Sequence, residues 1–416
     1  MNINAELGSQ NQNFSGYQKF VVAVLAFLQF TVILDFMIMS PLGAILMPAL
    51  QITPSQFGLA VSVYAFSAGT AGLLTAGLAD KYDRKKLLLA FYGGFVIGTF
   101  LCGIANSFIF LLLARTVTGL FGGVIGSIVF AIMTDLFPLS KRGRVMGFIQ
   151  TAFSASQILG IPVGLYLSNH FDWHAPFLMI VGVSVAVGFV IIKYLKPIDS
   201  HLKLHPDRKA IHHLLTTLAN PKYLFAFAAT ALLSLGGYML MPFGSAYTVN
   251  NLGIKIENLP IIYLISGIFA IFIGPLVGRA SDRLGKFRVF TFGTVFSMIM
   301  VFIYTNLGIT PLYVVILVNT LMFLGIFSRM IPSQALMSAI PDPTSRGSFM
   351  AISSSMQQIA GGFASVLAGL IVIQRTDGYL ERFNVLGYIL IGTSLLSLIM
   401  VYFINRMVMR RNKSTI

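Results

Sequence analysis

Cysteine and tryptophan each occur once in 416 residues, and aspartate and glutamate together only thirteen times. The lone Cys102 excludes an internal disulfide and any cysteine-based metal site. Charged residues make up 10% of the chain, against ~25% in a soluble domain, so the composition belongs to lipid rather than to water. No phosphate-binding loop, nucleophile elbow or metal-ligand set is present, so neither enzymatic chemistry nor a cofactor is expected. The first eighteen residues are polar and lack a basic stretch leading into a short apolar one, so no cleaved signal is expected.

What fills the chain is hydrophobic, at 56% of all residues. Apolar stretches lie at 20–49, 56–79, 87–105, 109–134, 145–168 and 175–195, then at 223–249, 259–280, 288–306, 311–338, 348–373 and 384–405. Some twenty apolar residues in a helix cross the ~30 Å hydrocarbon layer, and only a helix satisfies its own backbone there. The net charge of +15 would suggest nucleic acid in a soluble protein. Here 23 of the 28 basic residues fall in loops and tails on one side of the spans, which is an orientation signal. Both termini are therefore expected to be cytoplasmic, and no nucleic-acid partner is expected. Residues 196–222 break the apolar pattern and read as a linker between halves; His201, His205, His212 and His213 there fit a solvated basic segment better than a metal site.

The two sets of six spans echo each other at an offset near 204. The run Leu136 to Met146, containing Arg142-Gly143, aligns with Ile340 to Met350, containing Arg346-Gly347, and Asp80 with its basic followers matches Asp282-Arg283. Duplicated halves place a binding site at their interface near the bilayer middle.

The loop Gly77-Leu-Ala-Asp80-Lys-Tyr-Asp-Arg84-Lys-Lys86 resembles the signature loop of the major facilitator superfamily, G-x-L-A-D-R-x-G-R-R, with Ala76 and Asp83 where glycines usually stand. Gly278-Arg-Ala-Ser-Asp282-Arg283-Leu-Gly285-Lys286 is its second copy. The likeness extends over essentially the whole chain. It implies an all-α membrane protein with twelve transmembrane helices in two pseudo-symmetric six-helix bundles. The corresponding division is an N-terminal tail 1–19, a bundle 20–195, the linker 196–222, a second bundle 223–405 and a tail 406–416. The resemblance further implies a gate at the basic end, to which Asp80, Arg84, Arg142, Arg144, Asp282 and Arg283 are assigned. A carboxylate at a helix end can cap backbone donors and pair with an arginine such as Arg142 or Arg144.

Two charges inside the spans carry the coupling hypothesis. Arg115 to Gly119 is similar to the R-x-x-x-G motif of the proton-coupled efflux branch, and Asp35 is the one acid well inside any span. At ~1.5 Å per residue Asp35 lies ~8 Å from the outer edge and Arg115 ~9 Å, close enough in depth to pair. Desolvation favours the neutral carboxyl and a nearby guanidinium the carboxylate, so a change in surroundings could move a proton. The competing reading is a permanent salt bridge that holds helices together. Span five carries Gly160-Ile-Pro162-Val-Gly164 where the antiporter signature has G-P-x-x-G-G, a form that resembles the sugar and metabolite efflux relatives; these residues suit close packing or gating.

Arg329, in span ten, lies ~13 Å inside its cytoplasmic end with no acid in the spans of its half. Either it clamps an anionic group or Asp35 and backbone carbonyls meet its charge. The remaining pocket candidates are Gln29, Phe36 and Tyr64, then Gln150, Ser154 and Gln157 on one face of span five. Tyr238 beside Gly236-Gly237, Asn319, and Ser354 with Gln358 complete them from the second half. The resemblance implies a secondary transporter working by alternating access, most simply a proton-coupled exporter of a drug, sugar or metabolite. An importer or facilitator of an anionic metabolite, and a non-transporting sensor or scaffold, are the alternatives. Expected partners are a small molecule, protons and the lipid bilayer, with the chain acting as a monomer in a bacterial inner membrane.

Overall fold

Nearly every described residue is helical. The computed structural model describes residues 14–75, 82–199, 216–342 and 345–413. Asp80 and most of the linker, with its histidines at 201, 205, 212 and 213, lie outside the described residues.

Span one is α1 (Gly16–Ile38) followed by α2 (Gly43–Leu50); span two is α3 (Pro54–Leu74), span three α4 (Arg84–Cys102) and span four α5 (Phe108–Leu136). Span five is α6 (Leu139–Ala155), a single π turn at Ser156–Gly160 and α7 (Ile161–His170), and span six is α8 (Ala175–Tyr194). In the second half, span seven is α9 (Pro221–Leu240), a 3-10 turn at Met241–Phe243 and α10 (Gly244–Asn250). Spans eight to twelve are α11 (Leu259–Leu284), α12 (Lys286–Thr305), α13 (Leu312–Ser338), α14 (Arg346–Ile371) and α15 (Phe383–Lys413). A two-stranded antiparallel ribbon, β1 (Ile373–Gln374) and β2 (Leu380–Glu381), joins the last two.

The helix starts follow from local chemistry. Ser15 and Gln18 form a capping box before α1, and Thr53 with Gln56 forms another before α3, where Pro54 opens the helix without wasting an amide donor. Among the described residues eleven helical stretches are long and apolar enough to cross a membrane. The remaining predicted span is α14, a helix of 26 residues in which serines and glutamines interrupt the apolar surface. It is packed against α3, so part of that polar face is turned to protein instead of lipid.

The sequence repeat is also a packing repeat. Span four packs on spans two and three as span ten packs on spans eight and nine, and spans one and five pair as spans seven and eleven do. The halves meet along two seams, α3 against α14 and the π turn with α7 against α11. Glycines let these seams close: a methyl added at Gly58 would sit 2.5 Å from the Ser365 carbonyl, and one at Gly369 2.8 Å from the Pro54 carbonyl. At Gly267 the neighbour is Ile158 of the π turn, 2.8 Å away. At the end remote from the basic loops, α2 and α10 join the halves. The Ala44 amide donates to Ser245 Oγ at 3.3 Å, and that hydroxyl donates to the Ser40 carbonyl at 3.0 Å.

The structure adds local detail to spans five, seven and twelve. Span seven breaks at Met241–Phe243, where Pro242 cannot donate a helical hydrogen bond, while Gly236 and Gly237 stay inside regular helix. Helix α15 continues unbroken through residues 406–413. The π turn of span five begins at Ser156, after Ser154, and includes Gln157.

Candidate functional site

The centre of the first bundle holds the acid and the arginine that depth counting brought together. Arg115 Nη1 donates to Asp35 Oδ2 at 2.8 Å and to the Asp35 carbonyl at 3.3 Å. Both side chains are 0% exposed. Thr99 of α4 donates its hydroxyl to the other carboxylate oxygen, Oδ1, at 3.1 Å. Three helices thus converge on one carboxyl group: α1 supplies it, α5 the counter-charge and α4 a neutral donor. Two guanidinium nitrogens of Arg115, Nε and Nη2, have no hydrogen-bond partner among the described residues. The plane of the group instead lies over the Tyr64 ring, 4.5 Å from its centroid, where the negative face of the ring attracts it.

From Tyr64 a run of rings leaves the first bundle. Phe36 lies 5.3 Å from Tyr64 and 5.9 Å from Tyr238 of span seven, centroid to centroid. Tyr238 in turn fills the space over Gly361 of α14, where a methyl would sit 2.9 Å from the ring. Tyr64 is itself held tightly, since a methyl at Gly122 would meet its hydroxyl at 2.8 Å. Phe36, Tyr64 and Tyr238 are therefore one physical chain between the buried ion pair and the second half.

The other predicted pocket residues are more scattered. Gln29 is half-buried against Gly126 of α5, and Asn319 turns its amide back to the Val315 carbonyl of its own helix at 2.9 Å. Gln157 is buried in the π turn with its Oε1 lacking a partner among the described residues, while Ser154 is half-buried one turn earlier. Gln150 lies in α6. Ser354 is exposed and Gln358 half-buried, on the stripe beside Ser355 and Ile359, which face Gly69 of α3. Arg329 is half-buried in α13, with its Nε enclosed and unpartnered among the described residues.

Gly160 and Gly164 are contact points: methyls there would meet Leu34 at 2.5 Å and Ile38 at 2.7 Å, so span five lies close on span one. Pro162, in the first turn of α7, has no amide hydrogen for the Ile158 carbonyl, and the helix widens there, with the Ile161 amide bonded back to Ser156.

At the basic end, Arg84 is 4% exposed and its Nε donates to Asp135 Oδ2 at 3.0 Å. Arg142 donates to the carbonyls of Phe137 and Thr134, at 3.0 and 2.7 Å, closing the end of α5. Arg144 lies over the Phe14 ring at 4.9 Å. Asp282, near the end of α11, pairs with Lys286 at the start of α12 at 3.8 Å, and Arg283 is exposed beside it. Asp135 and Thr99 are residues that sequence reasoning missed. Thr99 lies fifteen residues into its helix, ~22 Å along it and level with Asp35, a match hidden from the sequence because the helix starts at Arg84, before the apolar stretch does. Asp135 sits one residue beyond the apolar stretch that ended at 134, so it read as a loop residue.

A family model described as Major Facilitator Superfamily matches residues 25–364 and 226–415. The uncharacterized MFS-type transporter YceJ of Bacillus subtilis is 25% identical over 81% of this chain and 85% of its own. A probable sugar efflux transporter of Helicobacter acinonychis is 28% identical over 36% of this chain and 38% of its own. Among solved structures, a bacterial homolog of the human lysosomal transporter Spinster, in an inward-facing and occupied conformation, superposes with a TM-score of 0.74 at 14% identity, over 95% of this chain and 98% of that one. A point mutant of the nucleoside transporter NupG superposes with a TM-score of 0.73, also at 14% identity, over 93% and 99%.

Proposed function

Because the chain belongs to the Major Facilitator Superfamily of membrane transporters, we propose that it exports a small organic molecule in exchange for protons, by alternating access. The observation that carries this reading is the buried Asp35–Arg115 pair, with Thr99 on the second carboxylate oxygen and aromatic rings leading from the arginine to the other half. Charges inside a span are costly and persist where a pathway uses them.

The geometry suits a proton switch. In the paired state Asp35 is a carboxylate with both oxygens engaged. A proton arriving on that carboxyl cancels its charge and weakens its hold on Arg115, whose two unpartnered nitrogens then draw it toward other acceptors. Any turn of the guanidinium shifts Tyr64, which lies against it, and through Phe36 shifts Tyr238 on span seven. Protonation in the first bundle is thereby converted into a changed fit between bundles. The joined tips of spans one and seven belong to a state closed at the end away from the basic loops. With the basic loops assigned to the cytoplasm by their charge, that closed end faces outward. Likeness to a probable sugar efflux transporter supports export of a polar organic cargo. The sensor or scaffold alternative finds no support in the site, since a scaffold has no need of a sealed ion pair in hydrocarbon.

The test is reconstitution in vesicles with a pH-sensitive dye inside, screened with sugars, amphipathic amines and carboxylates. The wild-type protein is expected to move protons against substrate. Asp35→Asn is expected to lose gradient-driven accumulation while still exchanging labelled substrate for unlabelled. Full gradient-driven transport by that variant would overturn the proton role.

A further inference from the structure

Arg329 stands outside every charge pairing the structure shows. Asp35 is taken by Arg115, Asp135 by Arg84, Asp282 by Lys286 and Glu381 by Arg375. Asp172 lies on His174, Asp342 accepts from the Tyr223 hydroxyl, and Asp83 caps the start of α4. Arg329 makes no hydrogen bond and no ion pair among the described residues, although its Nε is enclosed. The alternative that Asp35 neutralises it is removed, because Asp35 pairs with Arg115 and no bond joins it to Arg329.

The direction of the side chain follows from helix spacing. Arg329, Ser333 and Leu336 fall on one stripe of α13, at i, i+4 and i+7. Ser333 is buried, and Leu336 packs into the cluster formed by Tyr223, Ala226 and Phe227 of span seven with Phe349 and Ile352 of span eleven. Arg329 therefore lies on the stripe whose later residues enter the second bundle, about a quarter turn around α13 from Ser328, which packs on α12. Pro332 lies one turn along and leaves the Ser328 carbonyl without its helical donor, which loosens the helix at this level.

We propose that Arg329 binds the anionic group, a carboxylate or a phosphate, of the molecule this protein carries. This rests on the transporter reading and adds the class of cargo. A lone guanidinium inside a span is costly in the empty protein, and an incoming oxyanion offsets that cost with two parallel hydrogen bonds. A neutral cargo offers no such compensation.

Purified full-length protein is compared by thermal unfolding with two matched trios at equal ionic strength: gluconate, glucose 6-phosphate and glucose; benzoate, phenyl phosphate and benzamide. Charged members are expected to stabilise the wild-type protein more than their neutral partner, and whichever of carboxylate or phosphate does so names the group. Arg329→Gln is expected to lose that preference, and Arg329→Lys to keep it at tenfold or more weaker binding. Equal effects of charged and neutral members on the wild type, or an undiminished preference in Arg329→Gln, overturn the assignment. If Arg329→Gln does not fold, the Arg329→Lys titration decides alone, and unchanged affinity there overturns it. Vesicle flux separates this from the parent reading. Gradient-driven movement of glucose or benzamide without charge preference sinks Arg329 alone, whereas anion binding without any flux sinks transport and leaves the site standing.

Discussion

Thr99 and Arg115 divide the two oxygens of Asp35 between them, a neutral donor on one and a cation on the other, and the two contacts differ in cost. Removing either charge leaves its partner buried and uncompensated, a loss of about 3–5 kcal/mol. Asp35→Asn and Arg115→Gln are each expected to lower unfolding stability on that scale, and the double variant to lose clearly less than the sum, as read by chemical unfolding in detergent. Thr99→Val is expected to cost only about 1 kcal/mol, the net value of one hydrogen bond, with gradient-driven transport retained in reduced amount. The pairing itself was legible in the sequence, because a rise of ~1.5 Å per residue converts chain position into depth and charges at one depth find each other. The Arg84–Asp135 pair was not, since an apolar run stops before its helix does and Asp135 falls in that margin. The carbonyls that Arg142 meets at the end of α5 were not legible either, since a sequence does not display them.

Elements that depart from regular helix gather where spans one, five and seven carry proline. In span five the departure is the π turn ahead of Pro162, which keeps Ile158 against Gly267 of the other half. Pro162→Ala restores the missing donor, so the turn is expected to tighten into α-helix. The expected result is higher thermal stability and several-fold slower exchange of labelled substrate, both measured on the reconstituted protein. The fold was readable at this scale wherever hydropathy alone decides, with most ends within a few residues, although α6 starts at Leu139 and α15 ends at Lys413, well beyond their apolar stretches. It was less readable where an extra residue enters a helix, because proline announces a break and does not say whether the chain answers with a π turn, a 3-10 turn or a second helix. Span eleven shows the opposite case: its serines and glutamines weaken the membrane signal because another helix covers part of that face.

For the molecule as a whole, the joined tips of spans one and seven make a direct test of alternating access. In a Cys102→Ser background, Ala44→Cys and Ser245→Cys linked by a short bifunctional thiol reagent are expected to abolish flux, and reductive cleavage of the link to restore it. Undiminished flux through the linked protein would mean that this closure never opens. The seam between α3 and α14 answers a different question. Gly58→Leu drives a side chain onto the Ser365 carbonyl and is expected to destabilise the union of the halves by about 1–3 kcal/mol, seen as a lower unfolding temperature. That seam is backbone laid on backbone, from Gly58 opposite Gly369 to Gly69 opposite Ser355. Sliding lengthwise would carry each small residue off its opposite number and press bulk into bulk until a full helical repeat of ~5.4 Å had passed. Rolling, like two logs turned against one another, keeps every such match in line. The proposed cycle is expected to swivel about this contact, with a stroke set by how far two smooth helix surfaces turn before side chains collide.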